Sequence, residues 1–158
     1  MGRPEKITSA LLDASSLLGV VTGEETFACL KPLLAAVDRE EIRLVESTAI
    51  LIEVRPHHSG DSPENVRVRD DLLALLQSRK THLVDVSTMV ARKAGQLAAD
   101  LGLKTWDAVH LATAILSGVD VLIVRDHKFP EGDYEGVWVT GPFDINEGNL
   151  LSLLPGGD

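Results

Sequence analysis

The sequence predicts an α/β sandwich built on a mostly parallel central sheet. Two observations carry that expectation. Short apolar runs of strand length alternate with longer stretches of helical periodicity, the order that buries a parallel sheet between helices. No internal repeat, low-complexity tract or linker interrupts the 158 residues, a length of about one domain. The composition agrees, with 44% apolar and 25% charged residues, as in an ordinary soluble globular chain.

Taken in order, Ser9–Leu12 reads as a first strand, followed by a turn into a helix near Ser15. Residues 27–37 read as a second helix, with Pro32 tolerable only near a first turn. Next come two apolar pieces hinged at Glu46 and Ser47: a strand over 42–45 and a helix over 48–55 capped by Ser47. The second piece also fits a buried strand. Residues 57–63 (HHSGDSP) form a loop by composition, and 65–79 place leucines at amphipathic helical spacing. Residues 82–86 alternate as a strand should. Ser87 then caps a helix to about Leu101, which Gly102 ends. Thr105 caps the next helix and Gly118 closes it. Residues 119–124 give a strong apolar strand, and Val137–Thr140 a short last one. The C-terminal stretch is weakly patterned, with 150–154 suited to a short docked turn.

The totals exclude several function classes. A net charge of −9 opposes unaided nucleic-acid binding, and 4% aromatic residues leave little for base stacking. A divalent cation held by carboxylates would offset that acidity locally. The lone Cys29 allows no internal disulfide and no cysteine metal cage. No apolar run reaches membrane-span length and the start lacks a signal-peptide core, so a cytoplasmic protein without membrane contact is expected. No glycine-rich loop follows a strand as in a P-loop, and Ser15 and Ser16 lack a His–Asp relay.

Four acids stand out by position. Asp13 and Asp126 directly follow apolar strands, where each also suits a helix cap or a turn. Asp107 lies in the first turn of a helix, where an acid complements the macrodipole. At about 3.6 residues per turn, Asp107, His110, Thr113 and Ser117 share one stripe, which places Asp107 where an apolar helix meets a polar groove. His110 reads as a packing or supporting residue rather than a ligand. Glu53 interrupts an apolar run, where it either forms a salt bridge to Arg55 or Arg43, lies exposed on one face, or has a functional partner. In α/β folds ligands bind beyond the carboxyl ends of the strands, near a topological switch point. Acids gathered there would repel one another unless a hard cation relieved them. All-oxygen ligands suit Mg²⁺ or Mn²⁺ rather than zinc.

The segments LLDASSLL, STAILIEV, TWDAVHLATA and VLIVRDHKF, in that order, resemble the motifs of PIN-domain nucleases, and most of all VapC-type toxins of bacterial toxin–antitoxin pairs. The resemblance covers roughly residues 9–129. It implies a three-layer α/β/α sandwich; the domain is expected over residues 1–141, with 142–158, whose tail lies outside the resemblance, as an extension packed on it. It also implies Mg²⁺- or Mn²⁺-dependent hydrolysis of RNA phosphodiester bonds. The metal-binding and catalytic acids would fall on Asp13, Glu53, Asp107 and Asp126, supported by Ser15, Thr105 and His110. Lys104, Arg125 and Lys128 flank this set and are either phosphate contacts or plain exposed cations. The family often carries Thr or Ser two residues before the fourth acid, where this chain has Val124. A small antitoxin would be the partner. The leucine-rich faces of 27–37 and 65–76 also suggest a homodimer. The alternatives are an inactive PIN-like binding module and, on weaker grounds, a Mg²⁺-binding receiver-like signalling domain, which would want a second acid beside Asp13.

Overall fold

The structure, a computed structural model, describes residues 2–54, 60–125 and 129–145. Its strands are β1 (Ser9–Leu12), β2 (Arg43–Ser47), β3 (Thr81–Val84), β4 (Val121–Ile123), β5 (Gly132–Tyr134) and β6 (Val137–Thr140). They form one six-stranded sheet in the order β3-β2-β1-β4-β6-β5. Every pairing is parallel except β5 with β6. The helices are α1 (Ala14–Thr22), α2 (Lys31–Asp38), α3 (Ile50–Val54), α4 (Pro63–Gln77), α5 (Thr88–Leu101) and α6 (Thr105–Ser117), with a 3-10 helix over Glu25–Leu30.

The period of two along a strand explains the layers. Ala10 and Leu12 of β1 face one core, with residues of α1, α2, α3 and α4, while Leu11 faces the other, with α5 and α6. Leu44 and Val45 of β2 divide in the same way, as do Val121 and Leu122 of β4. Strands buried on both faces must be apolar throughout, which is why they read as continuous runs. The product is a three-layer α/β/α sandwich. Phe143 and Ile145, beyond the last strand, pack on the first core.

Several boundaries differ from the sequence reading. The helix expected over 27–37 divides at Lys31, so that Pro32 falls in the first turn of α2, where its missing N–H costs nothing. Residues 42–45 were too short a strand: β2 runs from Arg43 to Ser47 and contains Glu46, which is buried rather than a hinge. The helix after it is only Ile50–Val54, although Ser47 Oγ still accepts the Ala49 N–H at 3.1 Å. Thr105 does not cap α6. It is the first helical residue, after Lys104 at the cap position, whose side chain makes no cap bond. β5 was not anticipated. It pairs through a hairpin whose turn residues Glu135 and Gly136 both have positive φ, 51° and 92°, the geometry that matches strand twist. The turn suggested over 150–154 lies outside the described residues.

The leucines that suggested a dimer are used within the chain. Leu33, Leu72 and Leu76 are fully buried, and Leu34, Leu73 and Leu75 pack against the same core. At the amino end of the sheet, Asp120 ties β1 to the start of β4. One of its carboxylate oxygens accepts the Thr8 N–H at 2.6 Å, the Thr8 hydroxyl at 2.8 Å and the Ser9 N–H at 3.1 Å.

Candidate functional site

The chain runs β1, β2, β3 outward on one side of β1, then crosses to β4 on the other. That reversal is a topological switch point, and the carboxyl ends of β1 and β4 open a crevice there. The N-terminus of α6 lies at the same edge, because a helix returning toward a parallel strand runs antiparallel to it.

Asp13 is fixed by two backbones. Its N–H donates to Ile123 O at 3.0 Å, extending the seam between β1 and β4. Its Oδ1 accepts the Ser16 N–H at 2.8 Å and so caps α1. Oδ2 points the other way, 3.4 Å from the Arg125 N–H. The capping reading and a site role therefore use different oxygens of one carboxylate.

Glu53 sits near the end of α3, and its partner is His110, not the arginines considered from the sequence. His110 Nε2 and Glu53 Oε2 share a hydrogen bond of 2.8 Å, with the histidine side chain 2% exposed and the glutamate 23%. Arg43 instead donates to Ser117 O at 3.3 Å, and Arg55 lies outside the described residues. The polar stripe of α6 is not a groove along its length. His110 and Thr113 are buried, and the Thr113 hydroxyl donates back to Val109 O at 2.8 Å. His110 Nδ1 is buried with no hydrogen-bond partner.

Asp13, Glu53 and Asp107 line one cavity of about 490 Å³. Ser15, Lys104, Trp106 and Arg125 complete its wall. Thr105 is exposed and outside that lining. Asp126 and Lys128 lie outside the described residues. Among the described residues, no three His, Cys, Asp or Glu side chains are grouped as a metal cage. The acids surround the cavity rather than meet at a point.

Two features of the site escaped the sequence reading. Glu46, on β2, is fully buried, and its Oε1 accepts the Leu12 N–H at 3.1 Å. The backbone pairing of β1 with β2 is registered at Ser9 with Arg43 and Ala10 with Leu44, so this side chain ties the two strands beyond it. Oε2 has no partner. Burial first, then the nearby negative charges of Asp13 and Glu53, push this carboxyl well above its ordinary range, against the pull of the Leu12 N–H. The signal was present as an acid inside an apolar run, but a strand end explained it equally well.

The second is the brace made by Arg125, which the sequence offered as a phosphate contact or a plain exposed cation. Its guanidinium pairs with Glu24 at 2.9 Å, donates to Ser15 O at 3.0 Å and lies over the Phe27 ring, 4.6 Å from its centroid. The hydrogen bond and charge of Arg125 hold the Glu24 carboxyl below its usual range. The arginine thus braces the cavity wall while remaining partly exposed on it.

Among solved structures, the chain is similar to a toxin–antitoxin complex from Klebsiella pneumoniae, at 23% identity and a TM-score of 0.61 over 86% of this chain and 99% of that one. It is also similar to VapBC-5 of Mycobacterium tuberculosis, at 17% identity and a TM-score of 0.57, covering 85% and 98%. VapC20 of the same organism, a sarcin–ricin loop cleaving toxin, aligns at 15% identity and a TM-score of 0.60, covering 82% and 98%. At these identities the likeness is one of fold. No curated protein matches the sequence. The PIN domain profile matches residues 10–133, which takes in β1, the crevice and the N-terminus of α6, and by that match the chain belongs to the PIN domain family.

Proposed function

We propose that this protein is a divalent-metal-dependent ribonuclease, the toxin of a toxin–antitoxin pair whose partner is a small antitoxin protein. The observation that carries the reading is that Asp13, Glu53 and Asp107, from three separate elements, line one cavity at the switch point of a PIN domain. Like charges at one opening are unfavourable alone and favour a cation. The donors are all oxygen, which fits Mg²⁺ or Mn²⁺. Because the described acids do not close a cage by themselves, an ion held here would keep several of its waters.

Asp13, Glu53 and Asp107 would hold the ion, with Asp126 completing the set. When bound, the ion supplies Lewis acidity and countercharge for phosphodiester hydrolysis. The protein supplies the rest. The α1 cap fixes Asp13 with Oδ2 turned toward the Arg125 backbone, and His110 orients Glu53. Lys104, on the wall of the cavity, is placed to meet a phosphate oxygen. The structures that share this fold include a toxin–antitoxin complex and a toxin that cleaves the sarcin–ricin loop, which supports the partner and the substrate class.

The test is cleavage of RNA by purified protein with Mn²⁺ or Mg²⁺, with EDTA, and with Asp13→Asn and Asp107→Asn. Cleavage should require the metal and fall by at least about 100-fold in either variant, because each removes a carboxylate that would hold the ion. Cleavage indifferent to EDTA and to both substitutions would overturn the reading. Metal binding with no cleavage of any RNA would favour the inactive binding module.

A further inference from the structure

We infer that Trp106 is a stacking platform for an unpaired nucleobase beside the phosphate held at the acid-lined cavity, so that the substrate is taken as single strand or as an unstacked nucleotide. The inference rests on the nuclease reading and adds how the substrate is recognised. The chain has two tryptophans, one tyrosine and three phenylalanines. Most have evident structural work. Trp138 donates its indole N–H to Glu131 at 3.2 Å. Phe27 is buried beneath Arg125, Phe129 meets Tyr134 edge to face, and Phe143 lies under Arg3.

Among the described residues, Trp106 has no such duty. It is 43% exposed, belongs to neither core, and is the aromatic side chain in the wall of the cavity with Asp13, Glu53 and Asp107. It directly precedes Asp107 on α6, so their Cα atoms are about 3.8 Å apart. A large apolar ring kept in water is unfavourable, and the described wall it shares with three acids offers its face no other aromatic ring to stack on. A nucleobase does, because every base has a π-face, and the phosphate attached to it would meet the cation side of the same cavity. Charge points the same way. A protein of net charge −9 is poorly suited to gripping the two backbones of a duplex. One phosphate at a metal and one base on a ring ask for little basic surface.

The test uses the full chain with Trp138→Phe, which leaves Trp106 as the one fluorophore of its kind and lies outside the cavity wall. With Mn²⁺ present, the probes are adenosine 5′-monophosphate and ribose 5-phosphate, neither of which contains an internucleotide bond to cleave. The nucleotide should quench Trp106, and ribose 5-phosphate should displace it without quenching. By calorimetry, Trp106→Ala should bind the nucleotide roughly 5- to 150-fold more weakly while leaving ribose 5-phosphate unchanged, and Trp106→Phe should keep most of the affinity. A nucleotide that binds, as its displacement by ribose 5-phosphate shows, but does not quench Trp106, or an alanine variant that binds the nucleotide as before, would overturn the stacking role and leave the nuclease reading standing. Failure of both phosphates to bind in Mn²⁺ would remove the phosphate site itself, and the inference with it.

Discussion

At the scale of single residues, Glu46 and His110 give the sharpest expectations. The folded protein holds Glu46 well above its ordinary value of 4.5, whereas the unfolded chain releases that proton near 4.5. As pH rises from there toward the folded value, the folded state carries the extra proton, so this group makes stability fall with rising pH. The amide of a Glu46→Gln variant does not titrate and keeps an acceptor for the Leu12 N–H. In EDTA, that variant should therefore gain on wild type as pH rises above 4.5, by about 1.4 kcal/mol for each unit the carboxyl is held up. Melting temperatures from about pH 4 to 8 measure it, and curves that stay parallel would contradict the burial argument. His110→Leu removes the partner of Glu53 without touching the other acids. Because Glu53 is partly exposed, water can take the vacated bond. The fold should survive, with Mn²⁺ affinity, read by calorimetry, about 10- to 100-fold weaker.

Between elements, α1 meets the 3-10 helix with no room for a side chain at Gly19. A Cβ on Gly19 would lie 2.5 Å from Phe27 Cδ2 and 2.9 Å from Arg125 Nη2. Phe27 is buried and cannot withdraw. Gly19→Ala should cost about 1–3 kcal/mol in denaturant melts, as overpacking does, and should disturb the Arg125 brace on the cavity. Nothing in LLDASSLLGVV announces that glycine's neighbour, since Phe27 and Arg125 reach it only through the tertiary fold. The same distinction explains what else was legible. Residues 88–101 were readable because both signals are local: Ser87 Oγ accepts the Val90 N–H at 3.2 Å, and Gly102 takes φ 67°. β5 was not, because three residues of mixed polarity acquire strand geometry only from β6. Asp13 and Asp107 were conspicuous because each marks an element's start. The bond between Glu53 and His110 spans 57 positions and left no pattern to read. Glu46 was hidden by being an acid where a strand was expected to stop.

For the molecule as a whole, charge sets the terms on which the proposed RNA substrate would bind. With a net −9 and three acids around the cavity, the metal-free protein should bind a short RNA at least about tenfold more weakly than the Mn²⁺ form at about 0.15 M salt, by fluorescence anisotropy. Equal binding with and without Mn²⁺ would mean that RNA docks on another surface. The order of the strands adds a consequence in time. β1 sits between β2 and β4, and the Asp120 bonds that lock β1 to β4 join residues 112 apart. During synthesis, β1 and β2 emerge early, yet the far side of β1 stays an open edge until Val121–Ile123 has been made. Asp13 gains its anchor on Ile123 O only then. On the proposed reading, the nuclease would therefore be silent until β4 has been made, and the nascent chain would spare RNA near the ribosome. A chain stopped after Ser117 should be readily proteolysed and inert toward RNA even with Mn²⁺. An active fragment of that length would show that the centre forms without its last parallel neighbour.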